Sequence, residues 1–204
     1  TISGNDMQIN RRNTYWAAVA SSLRDTYRNI GTEEQMKTMN EAVASDFSVQ
    51  TKVSDLKFTD LDNLNDNMSI EYKIEVKNVL QDVAGMKILK LPWVNKISSL
   101  ELVTAETRNY PIEFWQYLSH DYNTEQINLT LPQGKKLVEI PKDVHLECAN
   151  AVYDLKFKVL ANGQICINRN FVRKTDQILP KEYNAFREFL NKVSESDNKQ
   201  YAIK

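Results

Sequence analysis

The sequence is poor in the residues that build metal centres and disulfide frameworks. Its 204 residues include two cysteines, Cys148 and Cys166, and two histidines, His120 and His145. A structural zinc site needs four converging ligands, and the spacing of these residues matches no zinc motif. We therefore expect no metal and no cofactor. Two cysteines in a chain of this length are more often buried small side chains than a disulfide, and the sequence leaves their bonding open.

The sequence also lacks an excess of charge and a long apolar run. Lysine and arginine number 26 and aspartate and glutamate 27, so the net charge of -1 creates no field that would attract nucleic acid. No stretch approaches the roughly 18 apolar residues of a membrane helix, which predicts no integral membrane segment. The N-terminal residues lack the order of a signal peptide. The chain starts at Thr1, and we interpret it as a mature form or as part of a longer protein.

No arrangement of nucleophile and base is evident in the sequence. His145 and Cys148 are three residues apart in a predicted strand, where odd spacing places two side chains on opposite faces. The Asp and Asn residues within 62–67 lack the central glycine and the terminal glutamate of a calcium-binding loop. The remaining carboxylates form no recognisable pair. The isolated chain is therefore predicted not to be an enzyme.

What the sequence does contain begins with two helical patterns. Apolar residues between Arg11 and Ile30 recur at spacings of three and four, as on one face of an amphipathic helix. Gly31 is predicted to end this helix, and Thr32 to Gln35 has the form of a capping box that opens a second one. Residues 1–45 are therefore predicted to form a helical hairpin.

From Asp46 onward the apolar period falls to two, which is typical of strands. The clearest run is 68–77, and 126–175 alternates in the same way between turn residues. Asn162-Gly163 is the strongest hairpin signal, because a type I′ turn requires positive φ at both central residues. Pro180 fits the first turn of a closing helix. Further strands are predicted over 47–54, 83–91, 127–131, 137–140, 144–148 and 201–204, with a connection over 56–67.

These patterns predict a mainly β protein with a minor helical part. The expected fold is an antiparallel β-sandwich with an N-terminal helical hairpin and a C-terminal helix. Residues 1–45 would form the hairpin segment, packed on the sandwich, and residues 46–204 the sandwich with its C-terminal helix. Whether the hairpin belongs to this domain or to an upstream one stays open, as do the strand order and the oligomeric state.

Aromatic residues around a proline supply the candidate binding site. Flat amphipathic rings are suited to stacking on a glycan or a peptide. The alternative is that these side chains fill the core. The candidate binding residues are Trp93, Arg108, Tyr110, Trp115 and Tyr117.

Short motifs in the second half of the chain occur in a recognisable order. The motifs are Arg-x-Tyr-Pro-Ile at 108–112, Leu-Thr-Leu-Pro-Gln-Gly at 129–134, Ile-Pro-Lys-Asp-Val at 140–144, the Gly163 hairpin with Arg169 and Arg173, and Leu-Pro-Lys-Glu-Tyr-x-x-Phe-Arg-x-Phe at 179–189. In this order they resemble the C-terminal accessory region of Bacteroidetes-type transglutaminase-like proteins, in which a papain-like catalytic core precedes a β-sandwich of unknown function. The N-terminal helices and first strands are similar to the segment that follows the catalytic core there.

The resemblance implies a function without catalysis in this chain. Neither Cys148 nor Cys166 matches a catalytic position of the family, so the thiolate, histidine and aspartate of a transglutaminase-like core would lie upstream. The expected partner is that core in the same parent chain, and the expected location is the periplasm or cell envelope. The domain would position the core or hold a substrate or partner. The alternative is a stand-alone glycan-binding or peptide-binding module.

Overall fold

The computed structural model describes residues 1–93, 100–114 and 122–204. These residues divide into two compact units, Thr1–Gln81 and Asp82–Lys204. The sequence prediction divided the chain between residues 45 and 46 instead. In the structure both N-terminal helices and the strands up to residue 76 belong to the first unit. The functional assignment of the two predicted segments stays a prediction.

The first unit is an antiparallel sheet with two helices. The order in its sheet is β1-β2-β4-β3. Helix α2 meets the sheet at β3, where the Val53 backbone N–H donates to the Asn40 side chain over 2.9 Å. The elements are β1 (Ile2–Ser3), β2 (Asp6–Tyr15), α1 (Ala17–Tyr27), α2 (Thr32–Asp46), β3 (Thr51–Thr59) and β4 (Met68–Val76).

Strand β4 provides the core of this unit. Its alternation was the clearest strand signal in the sequence, and the structure confirms it, because all its apolar side chains are buried. Lys73 on the other face is exposed. Strand β4 pairs with β2 on one edge and with β3 on the other. The burial of its apolar face stabilises the sheet. The buried apolar residues of β4 are Met68, Ile70, Tyr72, Ile74 and Val76.

The prediction of a helix from Arg11 to Ile30 is wrong in its first turn. Residues 11–15 belong to β2, which pairs along its length with β4, and the helix starts only at Ala17. Arg11 takes an inward position that usually holds an apolar residue, so the strand period was hidden. Gly31 does not end a helix but precedes α2 as its N-cap, and no side-chain cap is formed there.

The strand predicted over 47–54 lies later in the chain. Helix α2 ends at Asp46, and β3 begins at Thr51 and extends to Thr59. Residues 56–59, predicted as a connection, are therefore part of the strand. A shift in register between Ser54 and Lys57, with Asp55 at a φ of 54°, marks a bulge. The bulge interrupts the alternation that the sequence prediction relied on.

In its described residues the second unit contains three small antiparallel sheets and a C-terminal helix. The sheet orders are β8-β11-β10-β9, β12-β7 and β13-β6-β5. The mainly β fold with antiparallel sheets and a closing helix is confirmed, while a sandwich arrangement stays a prediction. The elements are β5 (Gln81–Val83), β6 (Met86–Lys90), a 3-10 turn (Leu100–Val103), β7 (Ile112–Glu113), β8 (Tyr122–Leu129), β9 (Val144–Glu147), β10 (Ala151–Val159), β11 (Ile165–Arg173), β12 (Gln177–Ile178), a 3-10 turn (Pro180–Glu182), α3 (Tyr183–Asp197) and β13 (Gln200–Ile203).

Two predicted strands of this unit differ from the structure. The segment 83–91 is not one strand, because Ala84 and Gly85 take φ values of 50° and 79° and separate β5 from β6. Positive φ at two successive residues reverses the chain there. The strand predicted over 137–140 is wrong: this segment forms only an isolated bridge between Leu137 and Ile203.

The hairpin between β10 and β11 lies where Asn162-Gly163 predicted it, but its turn is of another kind. Leu160 and Gln164 close a three-residue loop, in which the Gly163 N–H donates to the Leu160 carbonyl over 2.9 Å. Gly163 alone takes a positive φ, of 79°, so the loop is not a type I′ turn. A left-handed glycine after a tight turn is the usual device of three-residue hairpin loops.

Replacement of Gly163 by alanine tests whether its backbone conformation alone stabilises this hairpin. A Cβ added at Gly163 would meet no atom within 4 Å, so steric clash is excluded. We expect Gly163→Ala to lower the free energy of unfolding by about 1–2 kcal/mol, and Gly163→Asn to lower it by less, because asparagine tolerates the left-handed region. Urea titration measures both. Equal losses for the two variants would contradict the backbone explanation.

The start of α3 depends on a carboxylate that two donors hold in place. Glu182 Oε2 accepts hydrogen bonds from the Asn150 side-chain amide over 3.0 Å and from the Leu179 backbone N–H over 3.3 Å. These donors favour the ionised form and lower the pKa of Glu182 from its usual 4.5, the Asn150 contact having the larger effect.

Stability should therefore depend on pH through Glu182. A lowered folded-state pKa contributes stability that is present above pH 4.5 and lost as the pH falls through the folded-state pKa. We expect Glu182→Gln to destabilise the protein near neutral pH, with a difference from the parent that shrinks on acidification. Urea titrations from pH 7 to about pH 3 measure it. Glu188→Gln, at an exposed position of α3, is the control. A difference independent of pH would contradict this.

Candidate functional site

The predicted binding residues that the structure describes lie in different environments. Trp93 is buried at 9% exposure, with the Arg169 guanidinium 4.3 Å from its ring centroid. The Arg108 guanidinium lies over the ring of Tyr183, at 5.8 Å. The side chain of Tyr110 is 80% exposed. The other two candidates, Trp115 and Tyr117, lie outside the described residues. Trp93 thus packs inside the unit, and the binding role of the set stays a prediction.

A buried charge network lies beneath Trp93. The Arg169 side chain is fully buried, and its Nη1 and Nη2 atoms each lie 2.7 Å from a carboxylate oxygen, of Asp197 and Glu125 respectively. The Tyr153 hydroxyl donates to the second oxygen of Asp197, also over 2.7 Å. The network therefore connects three strands of one sheet, β8, β10 and β11, with the end of α3. We call these four residues the Arg169 network.

Burial sets the protonation of this region. It raises the pKa of the Asp197 carboxyl, although Arg169 and the Tyr153 hydroxyl favour the ionised form. Burial and the Asp197 charge also raise the pKa of Tyr153, and they raise the pKa of Tyr201 to about 12. Both phenols are therefore protonated at neutral pH. The Tyr201 hydroxyl is buried and has no hydrogen-bond partner in the described part of the chain.

The Arg169 network left a signal in the sequence that the prediction did not use. Arg169 follows Ile165 and Ile167 at the inward positions of β11, where an unpaired charge would be costly. Asp197 likewise continues the apolar stripe of α3, four residues after Val193. A cation and an anion that each occupy a predicted core position indicate a buried ion pair.

A groove of about 190 Å³ opens in the same unit, beside the end of α3. We call it the α3 groove. Apolar side chains form its floor, and charged side chains stand at its rim. The floor residues are Val144, Leu155, Phe157 and Tyr201. The exposed rim residues are Lys142, Glu195 and Lys199.

Strand pairing and a side-chain hydrogen bond position the groove floor. Val144 and Leu155 are direct partners in the ladder of β9 and β10. The Phe157 backbone N–H donates to the Asp143 side chain over 2.9 Å, which holds the segment before β9 against β10. The Tyr201 ring packs on Phe157 at 5.7 Å between centroids. The floor is therefore apolar surface that two paired strands and β13 hold in place.

Neither free thiol is hydrogen-bonded to the described histidine. Cys148 and Cys166 are both free, and Cys166 Sγ accepts a hydrogen bond from the Asn168 amide over 3.4 Å. His145 is exposed, and its Nδ1 lies 2.8 Å from a carboxylate oxygen of Asp154. Within the described residues no cluster of three potential metal ligands occurs. None of the helices in the described ranges has both the length and the apolar composition needed to cross a membrane.

Comparison with known proteins yields one family. The model of a family described as a domain of unknown function, DUF3858, matches residues 85–203. This range coincides closely with the second compact unit, which begins at Asp82. No curated protein and no solved structure matches the chain.

Removal of the central cation tests the Arg169 network. Arg169→Met keeps a long side chain near Trp93 but leaves Glu125 and Asp197 without their shared partner, so we expect a loss of about 3–5 kcal/mol in the free energy of unfolding. Urea or thermal unfolding measures it. Lys192→Met, at an exposed position of α3, should change stability by less than about 0.5 kcal/mol. A comparable change in both variants would show that the buried pairs contribute little.

Proposed function

We propose that this chain, which belongs to the DUF3858 family of domains of unknown function, is a non-catalytic accessory domain of a bacterial cell-envelope transglutaminase-like protein. In that protein it would position an upstream catalytic core or hold a substrate or partner. The ordered motifs that resemble transglutaminase-like proteins support the association. All five motifs lie within the second unit and within the residues of the family match.

The roles of the motif residues support an accessory function. Gly163 shapes a hairpin turn, Pro180 opens the turn before α3, and Arg169 is locked between two carboxylates. Ile112 is buried and pairs with Ile178. These are positions of scaffold residues, since each one fixes backbone or core and none presents a reactive group to solvent.

The observation that carries the proposal is that no hydrogen bond joins a thiol to a histidine among the described residues. Acyl transfer by a cysteine needs a thiolate activated by a histidine within hydrogen-bond reach. Among the described residues, the contact of the Cys166 thiol is the Asn168 amide, while His145 is engaged with Asp154. The reacting groups of a transglutaminase-like protein would then be supplied by another part of the parent protein.

The contacts inside the second unit also favour the sandwich that we propose for it. Phe157 of β10 packs against Tyr201 of β13, and Arg169 of β11 lies under Trp93, which follows β6. Side chains of the β8-β11-β10-β9 sheet thus meet residues of, or next to, the β13-β6-β5 sheet. Two sheets that share a core in this way are the basis of a sandwich.

Assay of the isolated chain tests the proposal. With a glutamine-containing protein and a fluorescent primary amine, we expect no thiol-dependent amine incorporation or amide hydrolysis. The Cys148→Ala and Cys166→Ala double variant should give the same background, with folding checked by circular dichroism. Activity that either cysteine substitution abolishes would overturn the non-catalytic assignment.

The residues that precede Thr1 in the parent protein provide a second test, because a parent without a Cys, His and Asp constellation would contradict the transglutaminase association.

A further inference from the structure

We propose that the α3 groove binds an acidic peptide segment, which places one apolar side chain on the floor and its carboxylates against Lys142 and Lys199. This inference rests on the proposed accessory function and gives the chemistry of the partner that the domain would hold. Three features support it: the size of the groove, its free charges and the exposed apolar side chains that lie close in the chain to its lining residues.

The size of the groove fits one side chain. Its volume is about 190 Å³. Sites for cofactors and other compact ligands start at about 300 Å³. The floor of Val144, Leu155, Phe157 and Tyr201 presents apolar atoms, so removal of an apolar side chain from water is the favourable step. A single anchoring residue of a longer chain satisfies both conditions.

The charges that remain available at the groove select an anion. Lys142 and Lys199 are exposed, and neither forms an ion pair with any residue in the described ranges. Two nearby carboxylates do not line the groove: Asp143 is directed to the Phe157 N–H, and Asp197 is paired with Arg169. Of the lining residues only Glu195 adds a negative charge. The two ammonium groups and one carboxylate of the lining favour a ligand with negative charge.

Three exposed apolar side chains lie close in the chain to residues that line the groove. Val138 and Ile140, each 45% exposed, come just before the lining residue Pro141. Val159 is 52% exposed and follows Phe157 by two residues, on the same face of β10. Large apolar side chains that are exposed next to a groove indicate a contact surface. This surface extends beyond the groove in the way that a peptide needs and a free carboxylic acid does not.

Three labelled peptides test the proposal on the full chain. The first is fluorescein-Asp-Glu-Leu-Phe-Glu-Asp-amide, the second replaces Leu-Phe by Ser-Ser, and the third replaces every acidic residue by lysine. We expect the first to bind in fluorescence anisotropy titrations, and the other two to bind at least about tenfold more weakly. Equal binding of the first two would overturn the apolar anchor. Equal binding of the first and third would overturn the charge selection.

Charge reversal locates the binding site. The double substitution Lys142→Glu with Lys199→Glu should weaken the first peptide about tenfold or more. The matched control is Lys181→Glu with Lys192→Glu, which changes the net charge equally at exposed positions that do not line the groove, and it should change affinity less than about twofold. Equal weakening by both pairs, or none by the first, would place binding elsewhere and overturn the proposal.

Amide chemical shifts provide an independent readout. The first peptide should shift amides within 138–144, 155–159 and 195–201, and an absence of shifts there would overturn the proposal.

The outcome of the peptide experiments is separable from that of the test of the proposed function. Thiol-dependent activity of the isolated chain would refute the accessory role and leave the groove titrations unaffected, whereas failure of all three peptides to bind in an inactive chain refutes only the groove assignment.

Discussion

Burial of the Arg169 guanidinium is the constraint on which the second unit depends. A charged group taken out of water costs several kcal/mol unless its partners are ionised and well placed. Here Glu125 comes from an edge strand, Asp197 from the last turn of α3, and the ring of Trp93 covers the guanidinium plane. The strands, the helix and the segment after β6 must therefore adopt one arrangement together. The network specifies that arrangement more strictly than apolar contacts, which tolerate sliding.

The same constraint fixes the α3 groove. Asp197 is held by Arg169 and by the Tyr153 hydroxyl, so the chain that follows must leave the helix at a set place. Lys199 comes two residues later, and Tyr201 two residues after that, on the edge strand β13. The position of the groove thus depends on the Arg169 network, although no residue of that network lines the groove. This is the usual division between a scaffold that is paired internally and a surface whose charges stay free for a partner.

A strand could be predicted from the sequence where apolar residues occupy its inward positions. Strand β4 was predictable because isoleucine, tyrosine, methionine and valine fill every inward position. Strand β2 was not predictable in this way, because Arg11 is one of its inward residues and a charged residue looks like a surface residue in a hydropathy pattern. The burial of Trp93 depends on Arg169, which lies more than seventy residues away in the chain. Periodicity reports local environment, whereas pairing over such distances is set by the tertiary fold.

The α3 groove could not be predicted from the sequence for a related reason. Its floor and rim come from three segments, 142–144, 155–157 and 195–201. None of these segments carries a binding motif that the sequence alone would show. The aromatic cluster drew attention because its members are near one another in the chain, yet Trp93 and Arg108 are both held by internal contacts. Lys142 and Lys199 become informative only when the neighbouring carboxylates are found to be engaged. A binding surface in this fold is therefore recognised by which charges remain unpaired after the core has formed its own pairs.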